Sequence, residues 1–178
     1  MEDIITELDN LEGNEELIDE IMKNYGQDIL QLVYSYVHNK AVAEDLTQEI
    51  FVKCYKSLHT YNRKSKLKTW LWRIAINHSK DYLKSWYNNK VFLTETEINS
   101  SSMEKSVEDS IVEKEADVEL ADAVMKLPVQ YREVIYLYYF EEMGIKDIAK
   151  ATDQKPNTVK TRLRRAKYLL KEMLGGEW

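Results

Sequence analysis

The sequence predicts an all-α protein of two small helical domains that are joined by a flexible acidic linker, with a helix-turn-helix in the second domain. Five glycines and two prolines among 178 residues leave few turns for a many-stranded sheet, whereas 44% hydrophobic and 31% charged residues suit amphipathic helices. The length allows one domain or two small ones. All-β and collagen-like folds are therefore excluded.

The charge is distributed unevenly along the chain. The net charge of −6 would by itself argue against a nucleic-acid partner, because phosphates must be met by cations. However, residues 59–90 carry +7 and residues 155–178 carry +5, while residues 1–58 carry −9 and residues 91–122 carry −8. The two basic zones indicate two phosphate-facing surfaces.

Two amphipathic helices are predicted at the start of the first domain, residues 1–93. Apolar residues recur with a helical period from Leu17 to Val37, with a candidate break at Gly26. A second helix is predicted over Ala41–Leu58. The side of this helix opposite its apolar stripe carries Asp45, Gln48, Glu49, Val52 and Lys53. Taken alone, such a face would be an ordinary solvated surface.

A basic loop, Asn62–Lys66, precedes a third predicted helix that extends to Trp86. Arg73, Asn77 and Lys80 fall on one face of that helix and could follow a phosphate backbone. Aromatic side chains alternate with these cations, as they do in single-strand binding sites. The residues expected in the core are Trp70, Leu71, Ile74, Ala75 and Leu83, whereas Trp72 is equally suited to the core or to stacking on a base.

The segment 94–115 is predicted to be a linker. It contains five serines and seven acidic residues, and it has no aromatic residue, proline or glycine. An ordinary long surface loop is the alternative, although loops above about 15 residues are uncommon in compact domains.

The second domain, residues 116–178, has the pattern of a helix-turn-helix. Helices are predicted over Val118–Lys126, Val129–Phe140, Ile145–Ala151 and Pro156–Leu174. The second of these is expected to bury Val134, Ile135, Leu137 and Tyr138. Close spacing of apolar residues around small Ala149 suits two helices that cross near a right angle.

The last of these helices is the candidate recognition helix. Asn157, Thr158, Lys160, Thr161 and Arg164 are predicted to face outward, and Lys155 precedes them. Asparagine can pair with adenine, lysine and arginine with guanine or phosphate, and threonine with phosphate or a thymine methyl group. A helical hairpin whose basic run is only a solvated face is the alternative.

Catalysis by this chain is not predicted. The single cysteine, Cys54, cannot form an internal disulfide, and the three histidines, His38, His59 and His78, are dispersed without ligand spacing. We therefore expect no metal, no cofactor and no enzymatic activity. The sequence shows neither a secretory signal nor a membrane span, so we expect a cytoplasmic protein without direct membrane insertion.

Several segments together resemble the bacterial extracytoplasmic-function (ECF) sigma factors of the sigma-70 family, collinearly over residues 15–90 and 116–174. Ala43-Glu-Asp-Leu-Thr-Gln-Glu-Ile-Phe-Val-Lys resembles the family's polymerase-binding helix, and Lys68-Thr-Trp-Leu-Trp-Arg-Ile-Ala-Ile-Asn its minus-ten recognition helix. Leu127-Pro-Val-Gln-Tyr-Arg-Glu-Val-Ile, Asp147-Ile-Ala and Thr158-Val-Lys-Thr-Arg-Leu-Arg-Arg-Ala-Lys resemble the minus-thirty-five domain. The turn Thr152-Asp-Gln departs from the family pattern, which often has glycine at its centre.

The resemblance implies a transcription-initiation factor that binds core RNA polymerase, directs it to promoters and assists promoter melting. It implies that the polymerase-binding residues are Asp45, Gln48, Glu49, Val52 and Lys53. The implied minus-ten contacts are Asn62, Arg63, Lys64, Ser65, Lys66, Trp72, Arg73, Asn77 and Lys80. The implied minus-thirty-five contacts are Lys155, Asn157, Thr158, Lys160, Thr161 and Arg164. It also implies an anti-sigma protein as a partner, which in this family is often membrane-anchored.

Two other functions are compatible with parts of the sequence. A conventional helix-turn-helix repressor would use the second domain to bind duplex DNA and the first to dimerise or to sense a signal. A pure protein-interaction module is the third candidate. Specific initiation with core polymerase distinguishes the first function from both.

Overall fold

The structure, a computed structural model, describes residues 14–94 and 115–175, and the regular elements of these two ranges are helical throughout. The chain divides into two compact units, Met1–Ser79 and Lys80–Trp178. This division falls inside a long helix, whereas the sequence predicts a boundary after residue 93. Residues 95–114, which make up nearly all of the predicted linker, lie outside the described residues.

The helices of the first unit follow the predicted order. They are α1 (Asn14–Val37), α2 (Lys40–Ser57) and the part of α3 (Leu67–Thr94) that precedes Lys80, and a short 3-10 helix at Leu58–Thr60 follows α2. α1 runs without interruption through Gly26, so the break predicted there is wrong. The start of α2 is set by Asn39, whose side-chain Oδ1 accepts a hydrogen bond from the backbone N–H of Val42 at 3.1 Å.

The core of the first unit is built from the apolar stripes of its helices. α1 packs along α2, and α3 contacts α1 through an edge-on contact between the rings of Tyr25 and Trp72, whose centroids lie 5.6 Å apart. The largest fully buried side chains of this unit are Trp72, Ile21, Ile29, Leu32, Ile50, Leu71, Ile76 and Val33. Burial of such side chains stabilises a fold by about 1.5–3 kcal/mol each.

Replacing Gly26 by alanine is expected to raise the free energy of unfolding by about 0.5–1 kcal/mol, because glycine in a helix interior costs more backbone entropy than alanine. The added Cβ would meet no atom within 4 Å. Thermal denaturation followed by circular dichroism measures the change. A lower melting temperature for Gly26→Ala would show that α1 does not continue through this position in solution.

The second unit also follows the predicted order of helices. The elements are α4 (Glu115–Lys126), α5 (Val129–Ile135), a π-helical turn (Tyr136–Phe140), α6 (Ile145–Thr152) and α7 (Pro156–Met173). α7 packs on α5 and on α6. Pro156 occupies the first turn of α7, where its fixed backbone angle suits the helix and no N–H is lost from the hydrogen-bond ladder.

The π-helical turn changes which aromatic residues are buried. The backbone N–H of Glu141 bonds to the carbonyl of Tyr136, five residues earlier, at 3.2 Å. This wider turn rotates the following side chains relative to an α-helix. Consequently Tyr136 and Leu137 are buried but Tyr138 is 38% exposed. The prediction that Tyr138 lies in the core is therefore wrong.

The helix-turn-helix is formed by α6 and α7. Ile148, Ala149, Val159 and Leu163 are buried where the two helices meet, as predicted. In the turn, Asp153 adopts a left-handed conformation with φ 54°, and the N–H groups of Asp153 and Gln154 both bond to the carbonyl of Ala149. Aspartate thus occupies the left-handed position that glycine takes more easily, at a cost of roughly 1–2 kcal/mol.

Candidate nucleic-acid interface

The basic loop before α3 is held by contacts within itself. The hydroxyl of Tyr61 donates a hydrogen bond to the carbonyl of Ser65 at 3.0 Å, and Oδ1 of Asn62 accepts one from the backbone N–H of Lys64 at 3.1 Å. Arg63 has a left-handed backbone with φ 60°. Burial raises the pKa of Tyr61, an effect that the nearby Arg63 charge partly offsets. The loop is therefore a defined turn that presents exposed cations.

Among the predicted loop contacts, Asn62, Arg63, Lys64 and Lys66 are exposed and Ser65 is half-buried. The Asn62 oxygen accepts a bond from Lys64, and the amide NH₂ is the group of Asn62 that can donate hydrogen bonds to a base. An exposed amide donor among cations suits recognition of an unpaired base.

The three predicted DNA contacts on the polar face of α3 differ in their surroundings. Arg73 and Asn77 are exposed. Lys80, the first residue of the second unit, has Nζ 2.6 Å from Oε1 of the buried Glu133 of that unit. Contact of Lys80 with DNA would require the ammonium group to leave this carboxylate, so its role in DNA binding stays a prediction.

Trp72 belongs to the core of the first unit. Its side chain is fully buried, with Tyr25 against it and Nζ of Lys68 4.9 Å from its ring centroid. With no face of the ring open, it cannot stack on a base in this structure, and the assignment of Trp72 to DNA contact is corrected. Trp70, which was expected in the core, is only half-buried and lies beside Tyr61 at a centroid distance of 5.4 Å.

The predicted polymerase-binding residues share the outward face of α2. Asp45, Gln48, Glu49, Val52 and Lys53 are all exposed. The opposite side of the helix is buried through Ala43, Leu46, Thr47, Ile50, Phe51 and Cys54. Val52 is 52% exposed, which places an apolar side chain among charged ones. A mixed polar and apolar face of this kind is suited to a protein partner.

One residue that contacts this face, His78, was not predicted from the sequence. His78 of α3 has Nε2 2.7 Å from Oε2 of Glu49 and Nδ1 2.6 Å from Nζ of Lys53. Glu49 and Lys53 are one helical turn apart on α2, and a histidine directly after Asn77 was the only sequence signal for this contact. The pairing of α2 with α3 that brings the three together is not readable from periodicity.

The candidate recognition helix α7 presents its polar side as predicted. Lys155, Asn157, Lys160, Thr161 and Arg164 are exposed and Thr158 is half-buried, while Val159, Leu163 and Ala166 are buried. The Thr161 hydroxyl donates to the carbonyl of Asn157 at 2.9 Å. This bond uses the hydroxyl hydrogen, so the methyl group and the acceptor lone pairs of Thr161 remain for a base edge.

An arginine-lined cleft lies beside this recognition face and was also missed. It has a volume of about 480 Å³ and is lined by Gln130, Tyr131, Thr161, Arg162, Arg164, Arg165 and Tyr168. The guanidinium carbon of Arg165 lies 4.9 Å from the Tyr168 ring centroid. The run Arg162-Leu-Arg-Arg was the sequence signal for this cleft, but only Arg164 of the run is among the predicted DNA contacts.

Two classes of site find no support among the described residues. No group of three or more His, Cys, Asp or Glu side chains there is arranged to hold a metal ion. The Cys54 thiol is buried, and desolvation raises its pKa to about 12, so it is not an activated nucleophile.

In the same ranges, 14–94 and 115–175, the helices are too short or too polar to cross a membrane.

Two regions of one protein family match the chain, and curated relatives match it along most of its length. Sigma-70 region 2 matches residues 21–87, and Sigma-70 region 4 matches residues 117–170. The chain is 32% identical over 154 residues to RNA polymerase sigma factor SigV of Bacillus subtilis (strain 168), covering 86% of this chain and 89% of the relative. It is 31% identical over 170 residues to ECF RNA polymerase sigma factor SigW of the same organism, covering 91% of each.

Solved structures give the same fold. The sigma factor RpoE from Bartonella quintana, solved in complex with the anti-sigma factor NepR, matches with a TM-score of 0.72 and 21% identity over 90% of this chain and 98% of that one. CnrH, solved with the cytosolic domain of CnrY, matches with a TM-score of 0.66 and 19% identity over 98% of this chain and 96% of that one. With both sigma-70 regions in order and relatives above 30% identity along nearly their whole length, the chain belongs to the ECF RNA polymerase sigma factors, which direct RNA polymerase to promoters.

Proposed function

We propose that three surfaces of the chain have different binding roles in transcription initiation. The outward face of α2 binds core polymerase, the loop 62–66 with Arg73 and Asn77 of α3 binds the unpaired minus-ten strand, and the N-terminal part of α7 reads the minus-thirty-five duplex. The observation that supports this most is that the polar residues of α2, α3 and α7 in these sets lie on helices whose other sides form the core, and that the loop 62–66 presents its cations beside the start of α3.

The proposed domains are residues 1–93 and 116–178, with a linker at 94–115. The two sigma-70 regions, matched over 21–87 and 117–170, each fall within one proposed domain and leave the linker unmatched. The matches favour this boundary over a division inside α3. The factor itself carries out no covalent chemistry in this proposal, and it acts in the cytoplasm, where polymerase and promoter meet.

An anti-sigma protein is the proposed regulatory partner. The support is that RpoE from Bartonella quintana was solved in complex with an anti-sigma factor. The second unit of this chain also has an apolar groove of about 540 Å³, lined by Leu120, Val124, Ile135, Tyr139, Phe140, Lys167, Leu170, Lys171 and Leu174. Phe140 is 60% exposed there. An amphipathic helix of the anti-sigma protein, with carboxylates facing the two lysines, would suit this groove.

Strand melting gives the sharpest test of the loop. Extruding a base costs a few kcal/mol, so a loop that holds the base must compensate through hydrogen bonds and stacking. We expect Asn62→Ala to reduce open-complex formation by about fivefold to tenfold, measured in the holoenzyme with 2-aminopurine in the minus-ten strand of a promoter that the wild-type factor selects.

Asn62→Asp is the matched variant for this experiment, because aspartate keeps the oxygen that accepts from Lys64 but has no NH₂ to donate. A melting defect of equal size in both variants supports a direct amide contact with DNA, because repulsion between the aspartate charge and phosphate would make the Asn62→Asp defect larger. Wild-type melting by Asn62→Asp would show that Asn62 only shapes the loop, and wild-type melting by both variants would remove the loop from the minus-ten assignment.

A further inference from the structure

His78 joins α3 to two residues of the proposed polymerase-binding face. Its ring lies between the Glu49 carboxylate, 2.7 Å from Nε2, and the Lys53 ammonium, 2.6 Å from Nδ1. The side chain of His78 is only 11% exposed, whereas that of Glu49 is 61% exposed. A largely buried ring, fixed by the core, therefore contacts two solvent-facing side chains of α2.

These contacts select one tautomer of the neutral ring. An ammonium group can only donate hydrogen bonds, so Nδ1 must accept from Lys53. The single proton of the neutral ring then sits on Nε2 and is donated to Glu49. The other neutral tautomer would place a hydrogen on Nδ1 facing the Lys53 ammonium.

The ring also separates two charges that would otherwise meet. Glu49 and Lys53 are four residues apart on α2, the spacing at which a glutamate and a lysine pair directly. A direct pair would direct each charge at the other instead of presenting both to a partner. Immobilising side chains of this type on association costs conformational entropy, so holding them in place before binding favours affinity.

We propose that His78 is a positioning residue for core polymerase binding, which holds Glu49 and Lys53 as separate, oriented charges on the outward face of α2. This inference depends on the proposed assignment of that face. It adds a residue of α3, outside the polymerase-binding helix, to the determinants of affinity.

The ring tautomer provides the first measurement. Long-range ¹H–¹⁵N spectra of the full-length protein near neutral pH, assigned with His78→Gln, should show His78 as the Nε2–H tautomer. Glu49→Gln keeps an acceptor for the Nε2 proton and should leave the tautomer unchanged. Lys53→Met removes the donor to Nδ1 and should shift the Nδ1 resonance. An Nδ1–H tautomer in the wild-type protein would overturn the proposal.

Affinity for core polymerase provides the second measurement. We expect His78→Ala to weaken binding of the full chain to core enzyme about fivefold. His78→Gln should recover most of this loss, because a glutamine amide can both accept from lysine and donate to glutamate. His59→Ala is the matched control, since His59 is an exposed histidine of the same unit. Equal losses in Ala and Gln variants, or none in either, would overturn the proposal.

A third variant separates failure of this inference from failure of the face assignment. If Asp45→Lys abolishes tight binding while His78→Ala leaves it unchanged, the face is correct and only the positioning role of His78 is wrong. If neither variant changes the affinity, the face assignment is wrong and the inference is overturned together with it.

Discussion

Replacing Asp45 by lysine is expected to weaken binding of the chain to core RNA polymerase by at least about tenfold, which corresponds to about 1.4 kcal/mol. Asp45 is exposed at the start of the outward face of α2, on the side opposite the buried stripe. A lysine there would place a cation against a surface selected for a carboxylate, and like-charge juxtaposition across an interface costs several kcal/mol. Fluorescence titration of labelled factor with core enzyme measures the effect.

Asp19→Lys is the matched control for that titration. Asp19 is an exposed aspartate of α1 in the same unit, and its replacement changes the net charge by the same amount. Equal weakening by both variants would show a general charge effect instead of a local contact. Wild-type affinity for Asp45→Lys would contradict the assignment of this face.

Replacing Lys160 by alanine is expected to weaken promoter binding by about 1–3 kcal/mol through loss of a minus-thirty-five contact. Lys160 is exposed on the N-terminal part of α7, beside the buried Val159 that fixes the helix on α6. In a helix-turn-helix this part of the second helix enters the major groove. The measurement is the affinity of reconstituted holoenzyme for promoters that the wild-type factor selects from a random library.

The pattern of loss identifies what Lys160 contacts. Uniform weakening across selected promoters with a smaller salt dependence indicates a phosphate, and a relaxed preference at one base pair indicates a base. Lys171→Ala removes the same charge from an exposed position about three turns further along α7 and should leave minus-thirty-five affinity unchanged. If Lys160→Ala and Lys171→Ala bind alike, α7 does not read DNA through its N-terminal part.

The sequence was sufficient for the order of the helices and for most exposed faces. Periodicity placed α1, α2, α6 and α7 to within a few residues, because each has one continuous apolar stripe. The polar sides of α2 and α7 followed directly, since the residues opposite a buried stripe must face outward. The two basic zones were also found from the sequence, because the charge was counted segment by segment and not only as the net charge of the chain.

The predictions that failed depended on geometry that periodicity does not specify. Trp72 and Trp70 are two residues apart on α3, and which of them is buried depends on how α3 is rotated against α1, where Tyr25 meets Trp72. Tyr138 became exposed because the Tyr136–Phe140 segment winds as a π-turn. The contact of His78 with α2 requires the packing of two helices to be known.

The net charge also has a consequence for how DNA is bound. A chain of −6 repels DNA as a whole, although its basic zones attract it locally. We therefore expect the free protein to bind promoter duplex weakly and to depend on polymerase to present these zones. The repressor function considered from the sequence would instead require tight duplex binding by the chain alone.

Run-off transcription with purified core polymerase tests the central claim most directly. On a template carrying a promoter selected from a random library, the full chain and core enzyme together should give a transcript of defined length, while core enzyme alone should not. Failure to support specific initiation, combined with tight binding of the free protein to the same duplex at physiological salt, would contradict this account and indicate a conventional helix-turn-helix repressor.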